Sequence, residues 1–310
     1  MTNKVKIFLE DDNEILGNGI GDPHELQFIR TKEYVGLLTS NNIKSTFYMD
    51  MGHYLFLLKN RNNNEKFKKY FNSIEETIGL LIKNKMDVQL HVHSQWHKAE
   101  IIKDDIRVTD NWNLGVLNEN DQDTLLNEAF NSLAKIFEKF DHKKKIVSYK
   151  AGSWGLQPFK NIHKILNKKN ISLLLGPAKD IKSTKMKTDY TSLQSEISPY
   201  FPNPSNINEI GEKNNLFIIP IAPTYLNWFD LVRYYTEKKI EKILRNKKSL
   251  KKTFEDMKLD NKININFAPY ETHMKINSQK FWFLKNTFNR SYKKIIKNDF
   301  DYKVLVIETH

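Results

Sequence analysis

The stretch Asp87-Val-Gln-Leu-His-Val-His-Ser-Gln-Trp-His97 joins a short apolar alternation to three of the nine histidines in the chain. Val88 and Leu90 are two residues apart, which is the spacing of buried positions on one face of a β-strand. We therefore predict that a buried strand ends near Leu90 and that the histidines come at its carboxyl end.

The three histidines of this stretch, His91, His93 and His97, indicate a metal site. Side chains alternate along an extended chain, so His91 and His93 share one face, and His97 rejoins them if the chain turns after His93. Crowded imidazoles repel one another when charged, and each needs a hydrogen bond when buried. A divalent metal removes both problems, because neutral imidazole is its commonest protein ligand.

Short apolar strands alternate with helices along most of the chain. The predicted strands lie at residues 5–9, 44–48, 87–90, 146–149, 171–175, 216–221, 263–267 and 304–307. The predicted helices lie at residues 23–40, 54–58, 74–83, 122–140, 156–166, 229–250 and 280–297, with Ser73 as the N-cap of the third. This alternation is typical of parallel βαβ units. We therefore predict an α/β fold, an irregular (β/α) barrel of about seven parallel strands.

The chain is expected to form a single domain over residues 1–310, with a long excursion at about residues 179–215. The excursion is polar, contains Pro199, Pro202 and Pro204, and has little hydrophobic periodicity. Long loops of this kind between strands are often functional.

The composition limits the class of protein and of partner. With 39% hydrophobic and 28% charged residues, the chain is expected to fold around a sizeable core. The excess of 49 Lys and Arg over 37 Asp and Glu gives a net charge of +12. The lysines are spread along the sequence without an Arg-rich patch, so we expect no nucleic-acid partner. Peripheral contact of residues 238–252 with an anionic membrane remains an alternative to a solvated basic face.

The chain contains no cysteine, which excludes disulfides and thiolate ligands, so a metal must bind to His and carboxylates. No apolar run approaches the ~20 residues of a membrane span. The first residues contain no signal-peptide apolar region. The expected location is the cytoplasm.

Polar residues follow four of the predicted strands. In barrels of parallel strands, catalytic residues gather at the carboxyl ends of the strands. The residues at these ends are Glu10-Asp11-Asp12, His91 with His93, Tyr149-Lys150, and Pro269-Tyr-Glu-Thr-His273. Each group alone has an ordinary explanation, such as a helix cap for the acids or a satisfied loop histidine for His273. Their convergence favours a site, and one Asp with two His is typical of an open catalytic zinc site.

Several motifs of the chain are similar to those of one enzyme family. Leu9-Glu-Asp-Asp-Asn13 stands where that family has Thr-Phe-Asp-Asp-Gly, and Ser45-Thr-Phe-Tyr48 stands where it has Ala-Thr-Phe-Phe. His93-Ser-Gln-Trp-His97 fits the second motif, His-(Ser/Thr)-x-x-His. Residues 89–96 are also close to Gln-Leu-His-Leu-His-Pro-Gln-Trp, found in a subgroup associated with surface-polysaccharide gene clusters.

Two later motifs extend the similarity. Tyr149-Lys-Ala-Gly-Ser-Trp154 resembles the third motif, Arg-x-Pro-Tyr or Arg-Ala-Gly, and Thr272-His273 matches a late His motif. Over roughly residues 4–275, the chain therefore resembles the polysaccharide deacetylase family, carbohydrate esterase family four.

The chain departs from the family pattern at three places. Lys150 replaces the usual Arg, and these residues are not interchangeable in bidentate roles. Asn13 replaces Gly, and Leu174-Leu-Gly176 stands where the subgroup has Asp-Ser-Ser.

The resemblance implies metal-assisted hydrolysis of an amide. The implied ligands of a divalent ion, expected to be zinc, are Asp12, His93 and one of His91 or His97. The register of the histidines stays open, because the strand alignment selects His91 whereas the literal motif spacing selects His93 and His97.

The resemblance also implies the catalytic residues. Asp11 would be the general base that deprotonates water, and His273 would protonate the leaving sugar amine. Lys150 would take the catalytic place of the family's Arg.

The first hypothesis for function is a deacetylase that removes an acetyl group from an N-acetylated sugar in glycan biosynthesis. The alternatives are a catalytically impaired barrel that binds carbohydrate, and another metal-dependent hydrolase on the same scaffold. The Asp11-Asp12 pair and the histidines favour the first hypothesis, whereas the changes at Lys150 and at residues 174–176 favour impaired catalysis.

Overall fold

The computed structural model describes residues 4–309 apart from residues 16, 18, 103–104, 142, 223–226, 231, 234–235, 238–280 and 299–301. The strands of these residues are β1 (Lys6–Asn13), β2 (Thr46–Asp50), β3 (Asp87–Val92), β4 (Glu100–Ile102), β5 (Asp105–Arg107), β6 (Ser148–Ala151), β7 (Leu173–Ala178), β8 (Lys182–Ser183), β9 (Thr188–Asp189), β10 (Pro202–Asn203), β11 (Asn206–Ile210), β12 (Phe217–Ile221) and β13 (Val304–Thr309). Seven of them form one parallel sheet in the order β12-β7-β6-β3-β2-β1-β13.

Helices connect these strands. They are α1 (Arg30–Ser40), α2 (Met51–Asn60), α3 (Glu65–Lys83), α4 (Glu119–Phe140), α5 (Lys160–Lys168) and α6 (Phe281–Lys297), and a π-helical turn at His24–Ile29 precedes α1. Among the described residues, no helix has the length and apolar character needed to cross a membrane. The predicted strand at residues 263–267 and most of the predicted helix at residues 229–250 lie outside the described residues.

The helix predicted at residues 74–83 is longer than the prediction. It begins at Glu65, and its N-cap is Asn64, whose side chain accepts a hydrogen bond from the Lys66 N–H at 2.7 Å. Ser73, the predicted cap, lies inside the helix and donates its hydroxyl to the carbonyl of Lys69 at 3.0 Å. The correction arises because the helix buries an apolar stripe that already begins at Phe67.

The seven-stranded sheet curves until its two outer strands, β12 and β13, contact each other, so it is nearly closed as a barrel. Inward-facing apolar side chains fill part of its interior. They are Tyr48, Leu175, Ile219 and Val306, with Phe8, Leu173, Phe217 and Val304 packed against them. The other faces of the strands pack beneath the helices through residues such as Phe47, Leu90 and Tyr149. The predicted (β/α) barrel is confirmed.

A long excursion separates β7 from β12. It contains two short antiparallel pairs, β8 with β9 and β10 with β11. It is fastened to the sheet by reciprocal hydrogen bonds between the backbones of Tyr200 and Ile218, at 3.0 and 2.8 Å. The excursion therefore covers an edge of the barrel instead of leaving β12 exposed.

Asp50 links the end of β2 to the end of β3. It is buried, and its Oδ1 accepts backbone hydrogen bonds from Gly52 at 3.0 Å, from His53 at 3.4 Å and from His93 at 3.2 Å. Gly52 is required here, because a Cβ at this position would lie 2.6 Å from the carbonyl oxygen of His93. One carboxylate thus caps α2 and fixes the chain at His93.

We expect Asp50→Ala to lower the free energy of unfolding by about 2–4 kcal/mol, because three buried N–H groups lose their acceptor. The matched control is Asn64→Ala, which removes an exposed cap and should cost about 1 kcal/mol. Urea unfolding of both variants measures the difference, and equal losses would contradict the linking role of Asp50.

Candidate metal centre

One carboxylate and two imidazoles meet at the carboxyl ends of β1 and β3. Glu14 follows the end of β1, His91 lies in β3, and His93 comes directly after β3. One potential ligand atom from each residue lies within 4.8 Å of the others. Glu14 Oε2 lies 3.1 Å from His91 Nε2 and forms a close ion pair with His93 Nε2. All three side chains are at least nine-tenths buried.

The ring of His91 is oriented by the backbone of a neighbouring strand. Its Nδ1 lies 2.9 Å from the carbonyl oxygen of Lys150, and because a carbonyl only accepts, Nδ1–H is the donor. In the neutral ring, the lone pair of Nε2 then faces Glu14. This is the arrangement that second-shell hydrogen bonds give to metal-binding histidines.

His93 is held on several sides. Its backbone N–H binds Asp50, and its Nδ1 lies 2.8 Å from the side-chain amide of Gln95. Gly152 leaves room for the ring, since a Cβ there would lie 2.5 Å from His93 Cγ. Burial lowers the pKa of His93, but the charge and hydrogen bond of Glu14 outweigh it and raise the pKa to about 10.

These three residues fit a divalent transition metal. One carboxylate and two histidines form the donor set of open catalytic zinc sites, which keep a position for water or substrate. A metal at this place would replace the proton that His93 and Glu14 share and would use the lone pair that His91 directs at Glu14. Glu14, His91 and His93 are therefore the residues that would hold the ion.

The structure places Asp12, the predicted ligand, outside this group and one strand level deeper, so its role as a ligand stays a prediction. Asp12 lies level with Tyr48 of β2, and Tyr48 lies level with Gln89 of β3. His91 is two residues beyond that level, as is Glu14. A carboxylate from the first strand segment does meet the histidines, but it belongs to Glu14, and Asp12 is absent from the group.

Asp12 instead faces the barrel interior, where its Oδ2 accepts a hydrogen bond from Lys150 Nζ at 2.7 Å. Its other oxygen, Oδ1, is buried and has no hydrogen-bond partner among the described residues. This carboxylate therefore retains an oxygen that can accept a proton.

Asp11, the predicted general base, lies on the opposite face of β1 because neighbouring side chains alternate. Its Oδ2 accepts a hydrogen bond from Thr309 Oγ1 at 2.7 Å, and its Oδ1 lies 3.4 Å from Asn13 Nδ2. Asp11 is directed at β13 and not at the histidines, and its role as the general base stays a prediction.

Lys150, predicted to be catalytic, is fully buried inside the barrel. Its Nζ lies 2.9 and 3.1 Å from the two oxygens of Glu10, 2.7 Å from Asp12 and 3.3 Å from Glu308. Burial lowers the pKa of Lys150, but the three carboxylates raise it well above its ordinary value. Lys150 is therefore a permanent ammonium that holds Asp12 and does not reach the strand ends itself.

The remaining predicted residues are His97 and His273. His97 Nε2 lies 3.3 Å from Asp121 Oδ1, at the start of α4, and His97 is not part of the metal group. Of the two histidine registers left open, the structure thus brings together His91 and His93. His273 lies outside the described residues, and its role remains a prediction.

Sequence reasoning missed Glu14 and Glu308, and it noted Glu10 at the end of the first strand without giving it a role. Glu10, Asp12 and Glu14 follow one another at intervals of two, which is the spacing of one strand face. That spacing could have assigned both Glu10 and Glu14 to the same face as Asp12. Glu308 had no such signal, because only the pairing of β13 with β1 brings it there.

Comparison with known proteins gave no matching family model and no match among curated proteins. Solved structures did match. A putative polysaccharide deacetylase from Mycobacterium smegmatis covers 100% of this chain and 78% of its own length, with 10% identity and a TM-score of 0.46.

Two further solved structures that match are a CE4 family pseudoenzyme from Bacillus anthracis and a mutant of it with restored enzymatic activity. The pseudoenzyme is 9% identical with a TM-score of 0.36, and the mutant is 12% identical with a TM-score of 0.35. Each match covers 58% of this chain, which spans about half of their length, 46% and 47%.

We expect the purified protein to bind zinc, and expect Glu14→Ala and His93→Ala each to weaken binding by more than about tenfold, because each removes a direct ligand. His97→Ala and Asp12→Asn should retain the ion. Isothermal titration with zinc measures all four variants. Loss of zinc binding in both His93→Ala and His97→Ala, with binding retained in Glu14→Ala, would instead support the literal motif spacing and exclude Glu14 as a ligand.

Zinc affinity should rise with pH by about tenfold per unit between about pH 7 and about pH 9, with release of about one proton on binding. The reason is that His93, with its pKa raised to about 10, must lose its proton to bind metal. In the metal-free protein, the folding stability that His93 contributes changes with pH in the opposite direction. The ion pair stabilises the fold fully below the unfolded pKa near 6.5, and this stability is lost as the pH rises through about 10. Calorimetry in buffers of different ionisation enthalpy counts the released protons, and a pH-independent affinity would contradict the assignment.

Proposed function

We propose that this protein is a metal-dependent hydrolase that removes the acetyl group from an N-acetylated sugar during glycan biosynthesis in the cytoplasm. The observation that carries the proposal is the adjacency of the Glu14–His91–His93 group to Asp12. Hydrolysis of an amide by activated water needs a bound metal and a general base, and a metal-ligand triad next to a positioned carboxylate provides both. The family resemblance supplies the substrate class.

The metal would be held by Glu14, His91 and His93. When bound, zinc supplies a Lewis acid for the acetyl carbonyl and lowers the pKa of a bound water toward about 7. The protein's own contribution is to fix the ligands through the Lys150 carbonyl and Asp50, and to exclude bulk water from them by burial.

Asp12 is the general base of this proposal, in place of Asp11. Lys150 holds one oxygen of Asp12, and the second oxygen is left to accept the proton of the attacking water. Asp12 and Glu14 lie on the same side of the first strand segment, so the proposed base and the proposed metal ligands face the same side of the strand. Lys150 acts through Asp12 and is a positioning residue.

His273 is proposed to protonate the leaving amine, as the family resemblance implies. The oxyanion is proposed to be stabilised near the turn that follows β6. Ser153 and Trp154 both have left-handed backbones there, with φ of 52° and 51°. Backbone strain of this kind is concentrated at functional sites, and Gly152 lies beside the His93 ring, since a Cβ on Gly152 would lie 2.5 Å from His93 Cγ.

A second candidate is a barrel that binds carbohydrate without hydrolysing it. The observation in its favour is β7, where Leu174 and Leu175 are buried and Gly176 follows. This strand therefore brings no polar side chain to the site from the place where the subgroup has Asp-Ser-Ser. Zinc binding without acetate release would instead favour another hydrolase on the same scaffold.

We expect Asp12→Asn to lower the rate of acetate release from N-acetylated sugars by about 10²–10⁴-fold while zinc stays bound, because the base is lost and the ligands are kept. The matched control is Asp11→Asn, one residue earlier on the opposite strand face, which should retain activity. An enzymatic assay for acetate measures both variants. If wild-type protein loaded with zinc releases no acetate from any N-acetylated sugar, the deacetylase proposal fails.

A further inference from the structure

A buried group of charges lies below the metal ligands and is only partly used by the proposed reaction. Glu10 of β1, Lys150 of β6 and Glu308 of β13 are almost completely buried, and Asp12 is 9% exposed. We call these four residues the interior charge cluster. Oxygens of Glu10, Asp12 and Glu308 approach within 4.8 Å of one another around the single Lys150 ammonium.

The charge of this cluster does not balance if every group is ionised. Three carboxylates and one ammonium would carry a net charge of minus two inside the barrel, where the four side chains are buried from bulk solvent. Carboxylates that crowd together in a buried site cannot all stay ionised, and one of them takes up a proton. The single positive charge of Lys150 cannot neutralise three carboxylates. Its three N–H donors are also fewer than the four carboxylate oxygens close to it.

We propose that the interior charge cluster holds one extra proton at neutral pH, that this proton resides on Glu10, and that Glu10 and Glu308 position Lys150 for Asp12. The positioning role rests on the proposed function. The proton is a property of the folded chain and is measured without substrate.

Glu10 is the carboxyl group best placed to carry the proton. It is completely buried, whereas Asp12 lies nearer the open end of the barrel and makes the shortest contact with Lys150, at 2.7 Å. Burial, followed by the charges of Asp12 and Glu308, raises the pKa of Glu10 well above its ordinary value against the opposing effect of Lys150. Among the described residues, two further titratable groups, Tyr48 of β2 and Tyr34 of α1, interact electrostatically with Glu10. The pKa of each tyrosine is itself raised, so neither supplies a negative charge at neutral pH.

A proton on Glu10 explains how one ammonium can hold three acids. A neutral Glu10 accepts from Lys150 through one oxygen and donates its own O–H to a neighbouring carboxylate. The strongest interaction of Lys150 is then left for Asp12, whose Oδ1 stays free of partners among the described residues. Since Glu308 belongs to the last strand, the end of the chain takes part in placing the base.

Infrared spectroscopy of the full-length protein in D2O at neutral pH tests the proton directly. Wild type minus Glu10→Gln should show the carbonyl band of one protonated carboxyl group. The control difference, wild type minus Asp11→Asn, should lack it, because Asp11 faces the other side of β1. Asp50, whose pKa burial also raises, contributes to both spectra and cancels. Absence of the band from the first difference overturns the assignment to Glu10.

A second variant keeps the test valid if Glu10→Gln does not fold. Glu308→Gln removes one negative charge next to Glu10 and should therefore lower the pH at which the protonated band disappears. An unchanged midpoint overturns the coupling of the two residues through Lys150.

Kinetics separate a positioning role from a structural one. Glu10→Ala should lower kcat for deacetylation with little change in KM, and Glu10→Gln should restore most of the loss, because the amide reproduces the neutral acid. Equal losses in both variants overturn the positioning role. If the wild type releases no acetate, the proposed function fails, while the infrared result still decides whether Glu10 carries the extra proton.

Discussion

The side chain of Lys150, from β6, crosses the interior of the barrel. Its ammonium contacts Glu10 and Asp12 of β1 and Glu308 of β13. The order of strands places β6 three positions from β1, so this contact spans the curve of the sheet. Removing one partner of such a buried ion pair typically costs about 3–5 kcal/mol, because the remaining charge is left without compensation. The interaction therefore ties β6 to β1 and β13 and, through Asp12, supports the candidate metal centre from below.

The fold was predictable because its physical signal is local. Short apolar strands that alternate with helices leave few alternatives to parallel βαβ units, and the sheet of seven strands follows from them. Individual boundaries were less predictable. The N-cap of α3 is Asn64 and not Ser73, since the buried side chains of Phe67 and Phe71 extend the helix toward the N-terminus.

The site was predictable only in part. His91 and His93 follow from alternation at a strand end, and the structure places them together. The choice of Glu14 over Asp12 depends on how β1, β2 and β3 are paired, and register between distant strands leaves no mark in the sequence. Asp11 is different. Alternation alone separates it from Asp12, so its assignment as base gave more weight to the family motif than to strand geometry.

Glu14 lies just outside β1, while His91 is held within β3 and His93 is fastened by Asp50. The ligand group thus combines two anchored rings with one acid from a connecting segment. Exchange of that acid would leave the strands, the core and the interior charge cluster unaltered. Gain or loss of a metal ion at the candidate centre would therefore require a change at only one position of the connecting segment, with the barrel itself kept.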